Sequence, residues 1–109
     1  MNEVITSNQE KCDQALAALH HVIDPEIGLN IVDLGLLYQI DFDEGNKIIF
    51  IRMTLTTQFC PMGDSIRSNA GTAMQHAFPE YTIDIELVFD PPWSQQRISE
   101  QGKQFLNRE

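Results

Sequence analysis

The sequence predicts an α+β fold, a three-stranded mixed sheet with helices on one face, from three observations. Apolar residues recur at helical spacing in two long segments and alternate in three others, and turn signals separate these segments in the order α-β-β-α-β-α. A helix connects the second strand to the third, and such a crossover makes its two strands parallel. The connection between the first two strands is short, which makes that pair an antiparallel hairpin.

The first predicted helix runs from about residue 8 to residue 22. Ser7-Asn8-Gln9-Glu10 has the spacing of a capping box, and Asp24-Pro25 ends the helix because the residue before a proline avoids helical dihedral angles. One side of this helix is apolar: Cys12, Ala15, Leu16, Leu19, Val22 and Ile23. The second helix begins at Pro61, which suits a first helical position, and ends before Pro79.

Three segments alternate as half-buried strands do. Leu36–Phe42 and Lys47–Thr57 flank the turn signal at 43–46, and Thr82–Asp90 follows the second helix. A weaker last helix is predicted from Ser94 to Leu106. A sheet covered by helices on one face leaves its other face thinly covered, which favours association with a second copy.

Size and charge limit the classes of protein that fit this sequence. We expect residues 8–109 to form a single domain, with 1–7 as a flexible N-terminus. The formal net charge of -9 disfavours nucleic acid and anionic membranes as partners, because lysine and arginine bind both. No apolar run is long enough to span a bilayer and no secretory signal is visible, so we expect a cytoplasmic protein.

Cys60 has the strongest chemical argument of any residue. It lies beside the start of the second predicted helix, where unpaired N–H groups and the helix dipole stabilise a thiolate. A thiolate binds soft metals or attacks electrophiles, and Thr56 and Thr57 can donate hydrogen bonds nearby. The alternative is a small buried residue at a helix start, and the sequence does not decide between the two.

For the other candidate residues, a structural role is favoured over a chemical one. Asp24, Glu26 and Asp33 cluster after the first helix, where carboxylates can bind metal or accept protons. A turn role for Asp24 and a solvated surface for Glu26 are favoured over that chemistry. Cys12 lies on the apolar side of the first helix and is expected in the core. The histidines have no metal-ligand spacing: His20, His21 and His76.

Four motifs occur in a specific order over roughly residues 12–107: Asp24-Pro25-Glu26-Ile27-Gly28, Ile31-Val32-Asp33-Leu34-Gly35-Leu36, Thr56-Thr57-Gln58-Phe59-Cys60-Pro61 and Asp90-Pro91-Pro92-Trp93. Together they resemble the metal–sulfur cluster biosynthesis family, which includes SufT-like and PaaD-like proteins. The resemblance implies an α+β metal–sulfur cluster assembly domain that acts in the maturation of iron–sulfur proteins.

The resemblance also implies roles for single residues. Cys60 matches the family's functional cysteine, and Asp24, Glu26 and Thr57 match positions around the same pocket. Asp33 and Trp93 match positions whose role looks mainly structural.

The chain departs from its relatives in three ways. Phe59 stands where many relatives carry a small residue, and the cysteine-containing C-terminal extension of PaaD-like proteins is missing, which puts the ring-hydroxylation role of that branch in doubt. There is also no phosphate-binding G-x-x-x-x-G-K-[ST] motif, so we expect no ATP hydrolysis by that route.

Three arrangements remain for Cys60, because about four thiolates or their substitutes hold a cluster and one chain offers a single candidate. Two chains can share a cluster across a homodimer, Cys60 can join ligands from a scaffold or client protein during transfer, or Cys60 can contact the client without metal. We favour the second arrangement, in which Cys60 is a metal ligand and the cofactor is a transient iron–sulfur cluster or iron.

Two other classes of function stay open. In one, the chain is an enzyme with Cys60 as nucleophile, which requires a base within hydrogen-bond reach. In the other, it is a non-catalytic interaction module that uses its acidic surface and Trp93. We expect a protein that is not an enzyme.

Overall fold

A computed structural model gives the fold and describes residues 4–25, 27–56, 63–90 and 92–106. Its elements in chain order are β1 (Ile5–Thr6), α1 (Gln9–Leu19), β2 (Leu37–Asp43), β3 (Ile48–Met53), α2 (Gly63–Ala77), β4 (Thr82–Leu87), a 3₁₀-helix (Gln95–Arg97) and α3 (Glu100–Leu106). The α+β class is confirmed. The sheet formed by these residues has four strands rather than three, and a strand precedes the first helix, so the predicted strand count and element order are wrong in part.

The additional strand β1 explains this difference. It is two residues long and runs parallel to β2, with Thr6 opposite Ile40. It lies within residues 1–7, the stretch that we expected to be flexible. Two residues are too few to show an alternating pattern, so the pairing of β1 with β2 has no signal in the sequence.

The sheet is mixed, as predicted, with the strand order β1-β2-β3-β4. β2 and β3 form the antiparallel hairpin that the short turn indicates, and β3 pairs in parallel with β4 after the crossover through α2. β4 therefore forms one edge of the sheet and the short β1 forms the other.

Helix α1 begins and ends differently from the prediction. Its N-cap is Asn8, whose side-chain oxygen accepts a hydrogen bond from the N–H of Lys11 at 3.0 Å. Ser7 does not cap the helix, because its hydroxyl oxygen accepts a hydrogen bond from the N–H of Phe42 on β2. The helix ends at Leu19, where two tighter turns replace the helical bonds.

Helix α2 is described from Gly63, so the prediction that it begins at Pro61 lies outside the described residues. It ends at Ala77, before Pro79, as the sequence predicts. With 15 residues it is the longest of the described helices, and none of these is long and apolar enough to cross a membrane.

One hydrophobic core lies between the helices and the inner face of the sheet. It contains most of the apolar residues that the patterns of α1, α2 and β3 predict: Cys12, Ala15, Leu19, Ile49, Ile51, Met53, Ile66, Ala70 and Met74. Ile23 is an exception: it follows the end of α1 and is 46% exposed. β2 departs from simple alternation, because its register shifts between Leu37 and Gln39. Leu36 and Leu37 are consequently both buried, while Tyr38 is half-buried with the guanidinium of Arg97 4.2 Å from its ring centre.

The predicted last helix is divided into the 3₁₀-helix and α3. The hydroxyl of Ser99 accepts a hydrogen bond from the N–H of Gly102 at 3.0 Å and thereby caps α3. Gly102 is buried, and a Cβ atom there would lie 2.8 Å from Ile98 and 2.9 Å from Leu29. The glycine that lowers helix propensity therefore lets α3 pack closely on the rest of the chain.

A polar cluster joins three elements at the end of the sheet where β3 and β4 begin. Lys11 of α1 forms an ion pair with Glu44 in the β2–β3 turn, and both groups hydrogen-bond to the hydroxyl of Tyr81. The ring of Tyr81 meets those of Phe42 and Phe78 edge to face. The hydrogen bond between Lys11 and Glu44 is the main reason that the pKa of Glu44 lies below its usual value and that of Lys11 above it.

Replacing Glu44 with glutamine is expected to lower stability at neutral pH and to have little effect in acid. The lowered folded-state pKa stabilises the fold above the unfolded-state pKa, about 4.3 for glutamate, and this stabilisation is lost as the pH falls through the folded-state value. The urea midpoint of the wild type should exceed that of Glu44→Gln at neutral pH, and the two should converge in acid. The control is Glu80→Gln, which removes an exposed carboxylate. A difference that persisted in acid would contradict this account.

Candidate functional site

Three connections of the chain meet at one end of the sheet. β2 begins there and β3 and β4 end there, because β2 is antiparallel to β3 whereas β4 is parallel to it. The loop after α1, residues 54–56 after β3, and the described residues after β4 therefore lie at the same end. All four motifs that carry the family resemblance fall in these connections.

Backbone hydrogen bonds fix the loop after α1 to the end of β3. The N–H of Ile31 donates to the carbonyl of Val22 at 2.9 Å, and the N–H of Leu36 donates to the carbonyl of Ile31 at 3.1 Å. The N–H of Thr54 then donates to the carbonyl of Leu36 at 2.8 Å. Thr54 is fully buried, so this contact anchors the loop to the core.

Asp24 begins a tight turn within this loop. Its carbonyl accepts hydrogen bonds from the N–H groups of Ile27 and Gly28 at 3.2 and 2.7 Å, and its own N–H donates to Leu29 at 3.0 Å. Asp24 is 1% exposed, and no buried side-chain polar atom among the described residues lacks a partner. The backbone of Asp24 thus forms a turn, and a role for its carboxylate in a pocket stays a prediction.

The predicted pocket lies only partly within the described residues. Asp24 is buried and Thr56 is half-buried, while Glu26, Thr57 and Cys60 lie outside the part of the chain that the structure describes. The grouping of these five residues into one pocket therefore stays a prediction.

Asp33 holds the loop to the C-terminal segment, in agreement with the structural role that the resemblance implies. Its carboxylate accepts hydrogen bonds from the side-chain amide of Asn30 at 2.7 Å and from the hydroxyl of Ser99 at 2.8 Å. Its carbonyl accepts a third from the N–H of Ser99 at 2.8 Å. Ser99 has no sequence signal of this role, because the contact spans 66 positions.

Trp93 and Arg97 hold the next part of the same loop. The indole N–H of Trp93 donates to the carbonyl of Leu34 at 2.6 Å, which agrees with its expected structural role. The guanidinium of Arg97, which the sequence does not single out, donates to the carbonyl of Gly35 at 2.8 Å. Gly35 has φ +77, and a Cβ atom there would lie 2.3 Å from the carbonyl oxygen of Arg97.

Cys12 and the histidines are the remaining candidates from the sequence. Cys12 is fully buried in the core, as expected, and burial raises the pKa of its thiol. A ring nitrogen of His20 lies 3.1 Å from the side-chain oxygen of Asn30 at the protein surface. Among the described residues, no three histidine, cysteine or acidic side chains are arranged to hold a metal ion.

Comparison with protein-family models matches residues 13–84 to the family described as "Iron-sulfur cluster assembly protein". Two curated relatives align over most of their length. The "Fe-S protein maturation auxiliary factor YitW" of Bacillus subtilis is 34% identical over 84% of this chain and 88% of its own. The "Fe-S protein maturation auxiliary factor SufT" of Staphylococcus aureus is 35% identical over 75% of this chain and 92% of its own.

Two solved structures share the fold. A domain of unknown function from Bacillus anthracis superimposes with a TM-score of 0.87 and 38% identity, over 94% of this chain and 97% of that one. A conserved hypothetical protein from Thermotoga maritima gives a TM-score of 0.74 and 36% identity, over 98% and 99% of the two chains. Both likenesses extend over nearly all of the chain, so they include the loop after α1 and the C-terminal segment that holds it.

Substitution of Gly35 with alanine is expected to destabilise the fold much more than the same change at Gly28. Both glycines have positive φ, so each change adds backbone strain of about 1–2 kcal/mol. A Cβ atom at Gly28 meets nothing within 4 Å, whereas at Gly35 it overlaps the backbone of Arg97. Urea denaturation of the two variants measures the difference, and equal losses of stability would refute the role of this close contact.

Proposed function

The chain belongs to the iron–sulfur cluster assembly protein family, and on this basis we propose that it acts in the maturation of iron–sulfur proteins. Its substrate is an iron–sulfur cluster or iron, which it passes between a scaffold and a client protein. Cys60 supplies one ligand during that transfer. The chain is a carrier or adaptor and not an enzyme, and it acts in the cytoplasm, where thiols stay reduced.

The extent of the match to two maturation factors carries this proposal. The aligned regions make up 88% and 92% of those relatives, so little of either protein lies outside the part that this chain matches. This coverage supports assigning the activity for which they are named to the part that this chain matches, rather than to a region outside the match.

The position of Cys60 in the chain supports its role. In the sequence it falls between β3 and α2, three residues before Gly63, the first described residue of α2. Both flanking elements are firmly placed, since Thr54 is buried and hydrogen-bonded and α2 packs on α1 and β4. A cysteine near a helix N-terminus has a lowered pKa, which favours the thiolate that binds iron.

The burial of Cys12 supports transfer rather than storage. A cluster needs about four thiolates or substitutes, and Cys12, the other cysteine of the chain, is fully enclosed in the core. The described residues add no group of three metal-binding side chains. Cys60 would thus be one ligand of an incomplete set, and the partner protein supplies the others while the cluster changes hands.

Replacing Cys60 with serine is expected to abolish cluster or iron loading. The chain is reconstituted anaerobically with iron, sulfide and glutathione, whose thiols stand in for the missing ligands of the partner. Its visible absorption is recorded, and transfer to an apo-ferredoxin is followed. Cys12→Ala is the matched control, because it removes the other thiol and should load and transfer as the wild type does. Loading of Cys60→Ser at the wild-type level would exclude Cys60 as a metal ligand.

The other arrangements give different results in the same assay. A cluster shared across a homodimer would double the molecular mass of the loaded wild type, which sedimentation measures. If Cys60 only contacts the client, the Cys60→Ser variant would load as the wild type does but bind the acceptor more weakly. Either result would contradict transfer through a single Cys60 ligand.

A further inference from the structure

The face of the sheet opposite the core is a surface separate from the candidate functional site. Six side chains of β2, β3 and β4 form it, and we call this surface the open face: Gln39, Asp41, Phe50, Arg52, Asp84 and Glu86. It forms a shallow cleft of about 700 Å³. None of the four family motifs contributes a residue to it.

An aromatic ring lies between two carboxylates at the centre of the open face. The strand register places Asp41 of β2 and Asp84 of β4 directly beside Phe50 of β3, one on each side. Neighbouring strands are about 4.8 Å apart, so the two carboxylates flank the ring closely. Phe50 is 43% exposed, whereas Ile49 and Ile51, its chain neighbours, are buried in the core.

The two central carboxylates form no ion pair in the described part of the chain. Arg52, the neighbouring guanidinium on β3, pairs with Glu86 at 3.1 Å. Asp41 accepts a hydrogen bond from Gln39, which is neutral, and Asp84 is in no ion pair among the described residues. Arg67 of α2 also lines the cleft, so three carboxylates face two guanidiniums there.

The charges of the open face disfavour a second copy of this chain as its partner. Two copies meeting through this face would each bring an excess of carboxylate, on chains whose formal net charge is already -9. Like charges placed against each other at an interface oppose association. The self-association that we expected from an exposed sheet face therefore has no support in its charges.

We propose that the open face binds an arginine or lysine side chain of a partner protein. The cation lies over the ring of Phe50, where the ring quadrupole attracts it, and Asp41 and Asp84 pair with it from the two sides. Phenylalanine and arginine are both enriched at protein interfaces relative to the rest of the surface. This proposal does not rest on Cys60, so the two can fail separately.

The test is a titration with the peptide acetyl-Gly-Arg-Gly-amide, followed by NMR chemical shifts. The shifts are expected to change most at Asp41, Phe50 and Asp84. Phe50→Leu keeps an apolar side chain but removes the ring, and it should weaken binding about two- to fivefold. Asp41→Asn with Asp84→Asn should weaken it by a factor on the order of five or more.

Two controls separate this site from general attraction to an acidic protein. Glu10→Gln with Glu80→Gln removes the same charge from exposed positions outside the cleft and should leave binding near the wild-type level. The peptide with citrulline in place of arginine keeps the shape without the charge and should not bind. The proposal would be overturned if the peptide shifted the signals of all acidic residues alike. It would also be overturned if Phe50→Leu bound the peptide as tightly as the wild type. Concentration-dependent shifts of the open face without peptide would instead assign it to a second copy.

Discussion

The contact between the loop after α1 and the C-terminal segment determines the geometry of the candidate end of the sheet. Asp33 accepts hydrogen bonds from the hydroxyl and the N–H of Ser99, and Gly35 lies so close to Arg97 that no side chain fits between them. The indole of Trp93 adds a third contact from the same segment through its hydrogen bond to Leu34. The conformation of a loop beside the candidate site is therefore set by residues more than sixty positions away.

The sequence predicted those parts of the fold that repeat over several residues. The alternation in β3 and the helical spacing in α1 and α2 identified the core, because burial of one face imposes a period on the sequence. The pairing of β1, the register shift beside Tyr38 and the N-cap at Asn8 escaped prediction. The first two depend on one or two residues whose partners are distant in the chain, so no local pattern reveals them. Asn8 caps the helix in place of Ser7 because the hydroxyl of Ser7 binds the N–H of Phe42, 35 positions away.

The same distinction applies to the candidate site. Local motifs singled out Asp24, Asp33 and Trp93, and the structural roles expected of the last two agree with their hydrogen bonds. Ser99 and Arg97 act through contacts that only the folded chain brings together. The chemistry proposed for Cys60 rests on family membership and on its place in the chain, because Cys60 lies outside the described residues. The structure bears on it only through Cys12, the other cysteine, which is buried.

The long separation between the two halves of the Asp33–Ser99 contact has a consequence for biosynthesis. Ribosomes release the chain from its N-terminus, so the loop after α1 is exposed well before its distant partners are made. Contacts between remote positions also form late in folding, because a large loop must close first. The nascent chain therefore cannot hold this loop in its final conformation until translation has passed residue 99.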